Sequence, residues 1–414
     1  MNKISLSSVL ILCLAIPFVM GYRISPGDTP YWLFGLIVLA LFFNIFMDLI
    51  KIDREKYYFI KFFLLWFIIL STIGAGFLSA IIVRYKVAPV YMIHDIILQL
   101  EAAIHFFVKG INPYATTYFG TFLEQWHYSD TQVNPALYHF VMEPFYLLFS
   151  IPFYAASVRL FGFFDGRMPL FFLFFLMLIN AFILIKDKEK KLLFVILLTF
   201  NPAMLSYTLE GRSDMFAYAF LFLGFYLLHK QKYLLSGIPI ALSFAVKQSV
   251  WPIFPLYFAF LYFKNKALKK TLKELSLFFF VFLAIVLPFF AWNPKAFIDS
   301  TILYLSGSVL HSYPVSGYGF GMVLHELGII KDLNAYYPFW IWQLLFGLPL
   351  SVILIKYLRK NTSINKLILF YGLFLFVFWY FSRYLNNSHF GYLSVIFITA
   401  YFWPEENLVA QKKD

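Results

Sequence analysis

The 414-residue sequence predicts an all-α polytopic membrane protein, and three observations carry that expectation. Hydrophobic residues make up 62% of the chain, and aromatics alone 22%, with 55 Phe and 29 Tyr. Charged residues make up only 13%, where a soluble domain carries about a quarter. Apolar, charge-poor stretches of about 20 residues, the length that spans a bilayer, recur along the chain. A DNA-binding protein, a secreted disulfide scaffold and a disordered regulator are excluded by this composition. The net charge of +12 fits basic residues gathered in cytoplasmic loops and needs no nucleic acid. The single cysteine, Cys13, lies in an apolar run, so one chain can form no disulfide framework or cysteine metal site.

The spans follow in order. Candidates lie near 5–22, 31–50, 58–83, 168–186, 191–208, 214–228, 273–292, 337–355, 367–382 and 390–403. The stretch 234–263 is too long for one crossing, and Pro239, Lys247, Pro252 and Pro255 divide it into a hairpin of two helices. The expected total is about 12 transmembrane helices. The first is read as a helix and not a signal peptide, because further spans follow at once. Residues 135–161 are apolar but interrupted by Pro144 and Pro152. They read as helices lying on or dipping into the outer leaflet, or as a closely spaced pair.

Basic clusters set the orientation. They are Lys51, Arg54 and Lys56; Lys186, Lys188, Lys190 and Lys191; Lys230 and Lys232; Lys264, Lys266, Lys269, Lys270 and Lys273; Lys356, Arg359, Lys360 and Lys366; and Lys412 and Lys413. With both termini cytoplasmic, every cluster faces inward. The inner side then holds 22 basic and 9 acidic residues, and the outer side 11 basic and 12 acidic. The chain divides into three N-terminal spans (1–83), a first long outer loop with juxtamembrane helices (84–167), a helical core (168–292) with an outer turn at 209–214, a second outer loop (293–336), and C-terminal spans with a short cytoplasmic tail (337–414).

Long, aromatic-rich loops of this kind are functional more often than disordered. Residues 94–109 read as an amphipathic helix, with Ile96, Ile97, Leu100, Ile104, Phe107 and Val108 on one side and His94, Asp95, Glu101, His105 and Lys109 on the other. The scarce polar residues gather at the outer side in five segments. These are Asp95 and Glu101; His127, Asp130 and Asn134; Glu210, Arg212 and Asp214; Lys247 and Gln248; and Arg383, Asn386, Asn387 and His389. Ionisable groups near lipid are expensive and mark function by default. Three charges in the turn Glu210-Gly211-Arg212-Ser213-Asp214 need partners, and Lys247 stands among apolar neighbours. A lone surface charge such as Lys109 does nothing special, and His105 and His311 read as structural contacts. His94 beside Asp95 has no third ligand at metal spacing, so no metal is assigned.

Four ordered motifs across roughly 90–260 resemble the GT-C superfamily of polytopic glycosyltransferases. Asp95 through Glu101 leads to Gly110-Ile111-Asn112-Pro113-Tyr114. Asn134-Pro135-Ala136-Leu137 enters an apolar segment. Asn201-Pro202 precedes Gly211-Arg212-Ser213-Asp214. A small-residue helix from Gly237 ends in Ala245-Val246-Lys247 before Pro252 and Pro255. The resemblance is to the polyprenyl-phosphate-mannose-dependent branch, which includes bacterial phosphatidylinositol-mannoside mannosyltransferases and the first mannosyltransferase of GPI-anchor assembly. Where that branch often has paired prolines this chain has Pro135 alone, and His94-Asp95-Ile96 replaces an Asp-x-Asp motif.

The resemblance implies a GT-C-like fold and inverting transfer of mannose or another hexose from a polyprenyl-phosphate donor to a lipid, glycan or protein acceptor. The site would lie on the outer face of the cell membrane. No cofactor beyond the lipid-linked donor is expected, and a divalent metal is left open. Asp95 is the candidate base, accepting the acceptor hydroxyl's proton. Lys247, Arg212 and Arg383 are candidates for the leaving phosphate. Glu101, His127, Asn134, Glu210, Asp214, Gln248 and His389 are candidates for sugar or acceptor binding. Tyr114, Trp126 and Tyr128 would stack on sugar rings or anchor in the headgroup zone. Two alternatives stay open: a transporter or lipid flippase, and an O-antigen polymerase or ligase.

Overall fold

The computed structural model of the chain describes residues 3–21, 30–87, 89–127 and 133–405. The helices in order are α1 (Leu6–Gly21), α2 (Tyr31–Phe46), α3 (Arg54–Ile69), α4 (Ala75–Val87), α5 (Asp95–Val108), α6 (Pro144–Phe161), α7 (Arg167–Leu184), α8 (Lys188–Thr199), α9 (Leu205–Leu209), α10 (Asp214–His229), α11 (Tyr233–Phe244), α12 (Phe254–Asn265), α13 (Leu268–Trp292), α14 (Pro294–Ile298), α15 (Tyr304–Ser306), α16 (Phe320–Glu326), α17 (Phe339–Lys360), α18 (Ile364–Tyr380) and α19 (Asn387–Phe402). Two short strands, β1 (Ser316–Gly317) and β2 (Tyr384–Leu385), pair in parallel and qualify the all-α expectation. Asp130, Tyr128, Lys412 and Lys413 lie outside the described residues.

Five helical stretches are long and apolar enough to cross a membrane: Arg54–Val87, α6, α7, α13 and α17. The first joins α3 to α4 through a π-helical turn, Leu70–Gly74. There the hydroxyls of Ser71 and Thr72 donate back to the carbonyls of Phe67 and Ile68 at 2.7 and 2.6 Å, a bonding mode that bends helices. The 25 residues of α13 rise about 38 Å, enough to span a hydrocarbon core. Its lipid-type surface includes exposed Phe279, Phe280, Leu283 and Leu287. Water penalises apolar surface on this scale and hydrocarbon does not.

The core is built around α10, buried nearly all round through Phe216, Tyr218, Phe222 and Phe225. Glycines let its neighbours close in. A Cβ on Gly224 would meet Ile240 Cγ1 of α11 at 2.4 Å, and one on Gly237 would meet the Phe278 backbone nitrogen of α13 at 2.9 Å.

The expected hairpin at 234–263 is present as α11, a 3-10 turn (Gln248–Ile253) and α12. Pro239 does not divide it, since it sits inside α11. The span expected at 191–208 stops at Thr199, and the Asn201-Pro202 turn separates it from α9. At 135–161 the two prolines do not interrupt the helix as expected. Pro144 occupies the first helical position, where a missing N–H is harmless, and α6 continues through Pro152 to Phe161. Both ends of α6 are tied to the same side of the molecule. The Glu143 and Phe145 amides donate to the carbonyls of Val246 and Ala245 at 3.2 and 2.8 Å. Just past the other end, Asp165 and Gly166 meet Arg84 and Glu101 at 2.9 Å each. Helix α6 therefore runs along one face, here termed the loop face.

Candidate functional site

A cavity of about 930 Å³ opens at the loop face. Its walls come from segments far apart in sequence: the start of α5, the α9–α10 turn, the α11–α12 turn, the loop 302–318 and the start of α19. Asp95, Arg212, Asp214, Lys247, Gln248 and His389 all line it. Most of these stand at helix ends, where the chain reverses.

Local geometry explains the convergence. The backbone amide of His94 donates to the Glu210 carbonyl at 2.8 Å, which docks the start of α5 on the α9–α10 turn. Gly211 sits at φ +95°, and a Cβ there would meet Ile97 Cγ1 at 2.3 Å. Only glycine satisfies both constraints. Asp95 is buried: its Oδ1 lies 2.7 Å from His94 Nδ1, and its Oδ2 accepts from Asn134 Nδ2 at 3.2 Å. The Ile96 amide donates to His94 Nδ1 at 3.3 Å, which caps the start of α5.

The cationic side is different in character. Lys247 Nζ donates to Asp214 Oδ1 at 2.6 Å, with the lysine 22% exposed and the aspartate 3%. Arg212 donates from Nη1 to Ser388 Oγ at 3.1 Å and lies over the Tyr207 ring at 4.6 Å. Its Nε has no hydrogen-bond partner among the described residues. His389 accepts the Asn386 amide at Nδ1 (3.0 Å), so Nε2 carries the proton. Its ring packs edge-on to Trp379 at 4.5 Å.

Other sequence candidates are placed elsewhere. Glu101 does not line the cavity. It is gripped by Arg84 through both oxygens at 2.7 Å and by the Gly166 amide at 2.9 Å. Asp165 joins this network, bonding Arg84 at 2.9 Å and Arg167 at 2.8 Å. Burial works to raise its pKa, but the two guanidiniums hold it down at about 2. Arg383 is a clamp on the backbone: it donates to the carbonyls of Tyr313, Leu333, Asn334 and Ala335 at 2.5 to 3.1 Å. Its donors are committed, so the geometry does not offer it to a phosphate. His127 is exposed and is not part of the wall, and neither is Glu210, whose carboxylate lies 3.9 Å from Arg212 Nε. Asn134 acts through Asp95 and through its own cap on the Ala136 amide at 2.9 Å. Tyr114 is buried and donates to the Met142 carbonyl at 2.8 Å, while Trp126 does line the cavity.

Several features escape sequence reading. Tyr304, Tyr313, Trp379 and Tyr384 give the cavity an aromatic wall. The loop carrying Tyr304 and Tyr313 is docked to the first loop by His139, bonded to the Leu310 carbonyl at 3.0 Å, and by Tyr138 stacked on His311 at 3.7 Å. Glu143 is fully buried beside Gln248. Only the turn's Lys-Gln pair hinted at this corner. Among the described residues no three His, Cys, Asp or Glu side chains converge to hold a metal. Comparison with models of protein families, with curated protein sequences and with solved structures finds no match to this chain.

Proposed function

We propose that the chain is an integral-membrane glycosyltransferase of GT-C-like architecture. It moves a hexose, mannose first among the candidates, from a polyprenyl-phosphate donor to a lipid, glycan or protein acceptor. The observation that carries this reading is the joining, in one cavity, of a held carboxylate (Asp95), two cations with remaining exposure (Lys247 and Arg212) and an aromatic wall. A volume of about 930 Å³ is within the range of small-ligand sites. In this reading twelve passes are made by α1, α2, α3–α4, α7, α8, α10, α11, α12, α13, α17, α18 and α19, with α6 lying along the outer surface. Both termini are cytoplasmic, and the loop face is the outer face of the cell membrane.

The chemistry follows from the residues. The acceptor hydroxyl attacks the anomeric carbon as the bond from that carbon to the phosphate oxygen breaks. The electron pair leaves with the phosphate, and the hydroxyl proton passes to Asp95. A positioned base of this kind contributes roughly 10²–10⁴ in rate. Lys247 and Arg212 meet the charge that develops on the phosphate, where low surrounding polarity strengthens them. Direct attack inverts the anomeric centre; retention would need a second carboxylate nearby, and Glu101 is committed to Arg84. Asp214 and His389 are left to orient Lys247 and sugar hydroxyls. A membrane body suits a donor that is itself a lipid. Transporters place their sites near mid-membrane on broken helices, whereas these polar groups stand at helix ends.

The test is turnover by purified protein in detergent, using polyprenyl-phosphate-mannose and parallel hexose donors with lipid and peptide acceptors. Sugar transfer or release of polyprenyl phosphate is expected. Silence with every donor, together with substrate uptake after reconstitution in liposomes, would replace this reading with a transporter.

A further inference from the structure

Gln248 sits in the cavity wall with an amide whose orientation its neighbours dictate. Its Nε2 faces three oxygens: Glu143 Oε1 at 3.0 Å, the Thr301 carbonyl at 3.0 Å and the Val141 carbonyl at 3.2 Å. A rotated amide would press Oε1 against the Thr301 and Val141 carbonyls, which can only accept, so the NH2 group must point there. Oε1 is thereby turned away from them, and it has no hydrogen bond within the chain among the described residues. Gln248 is fixed as an acceptor toward the cavity and nothing else.

Glu143 is what makes the arrangement unusual. It is wholly buried, and its Oε2 has no hydrogen-bond partner among the described residues. It stands on the loop ahead of α6, fastened through its backbone amide to the Val246 carbonyl at 3.2 Å. Burial pushes its carboxyl up to about 8, against the lowering effect of the Gln248 bond. At neutral pH it is therefore an uncharged acid, able to accept from Gln248 without stranding a buried charge. A carboxylic acid buried only to receive one amide N–H is costly unless that amide matters.

We propose that Gln248 Oε1 reads one hydroxyl of the transferred sugar, and that Glu143 is the positioning residue that holds this acceptor in place. The proposal rests on the glycosyltransferase reading above. A pure acceptor demands a donor, which a sugar hydroxyl supplies and an ether or a hydrogen does not. The loop that lends the Thr301 carbonyl also lends Tyr304 to the cavity wall. The reading atom is thus set by both long loops at once.

The experiment uses the full-length protein in detergent with a polyprenyl-phosphate hexose that it turns over, and the series of deoxy donors lacking each ring hydroxyl singly. Wild type is expected to transfer one deoxy sugar at least ~10-fold more slowly than the parent, since its absence leaves the acceptor unpaired. Gln248→Ala should erase that one preference while leaving the ranking of the other deoxy donors intact. Glu143→Ala should shrink the same preference. Glu143→Gln, neutral like the native acid and still offering an oxygen to Gln248, should keep it. A simple packing role for either residue would slow every donor alike, and that result, or a wild type that treats all deoxy donors equally, overturns the proposal. A wild type that turns over no polyprenyl-phosphate sugar removes the underlying reading as well, and is told apart because no variant is needed to see it.

Discussion

Helix α5 carries two carboxylates six positions apart, Asp95 and Glu101, and the molecule uses them in opposite ways. Glu101 is saturated: a bidentate guanidinium and a backbone amide take up both oxygens, and Arg84 is in turn shared with Asp165. Nothing in that network faces the cavity. Asp95 lies against the side chains of His94 and Asn134, and it does line the cavity. The same contrast separates Arg383, whose donors are spread over four carbonyls, from Arg212, whose Nε has no hydrogen bond among the described residues and lies 3.9 Å from the Glu210 carboxylate. Buried charge with a complete set of partners ties segments together. Charge that lines a cavity is placed for chemistry.

The sharpest way to break this contrast is to remove a saturated partner. Arg84→Ala strands Glu101, leaves Asp165 to Arg167 alone, and should cost about 3–5 kcal/mol of stability. Thermal unfolding in detergent should show it, while the folded fraction keeps its turnover per molecule. Arg212→Gln removes spare cationic capacity instead. It should lower transfer roughly 10- to 100-fold with an unfolding temperature close to wild type, as loss of one electrostatic contact to a leaving group does. Gly211→Ala lies between the two regions. Its Cβ would collide with Ile97 under a left-handed backbone, so about 2 kcal/mol of stability and part of the activity should fall together.

The smallest expected effect is a pH slope. Because burial raises Glu143 to about 8, the folded chain keeps a proton that the unfolded chain has already released above the ordinary carboxylate range. The folded state binds more protons in that window, so this residue's contribution to stability is full at low pH and declines as pH rises toward 8. Unfolding temperatures from pH 5 to 8.5 should fall less steeply for Glu143→Gln than for wild type. Parallel curves would contradict the assignment.

Much of this arrangement is legible in the sequence, for physical reasons. Hydrocarbon demands long apolar runs, so the helices stand out, and scarce polar residues are conspicuous among them. That is why Asp95, Arg212, Asp214, Lys247, Gln248 and His389 are found by reading alone. Polarity groups Glu101 with Asp95, yet six positions on a helix turn the side chain about 120° away and about 9 Å along. Its partner Gly166 is 65 residues distant, beyond any local pattern. Arg383 escaped because its partners are backbone carbonyls, which no residue type announces. Glu143 reads as one more outer-loop acid until α6 is seen to fold back against the Val246 turn. The aromatic wall from 302–318 needs the docking of one loop on another.

The central claim is best tested on α5 itself. Asp95→Asn and Glu101→Gln would be prepared side by side, with sugar transfer and thermal unfolding measured on the same samples. The account predicts that Asp95→Asn loses roughly 10²–10⁴ in rate while unfolding near the wild-type temperature, and that Glu101→Gln unfolds earlier yet retains most of its rate at low temperature. An active Asp95→Asn, or a stable Glu101→Gln that has lost transfer, would contradict it.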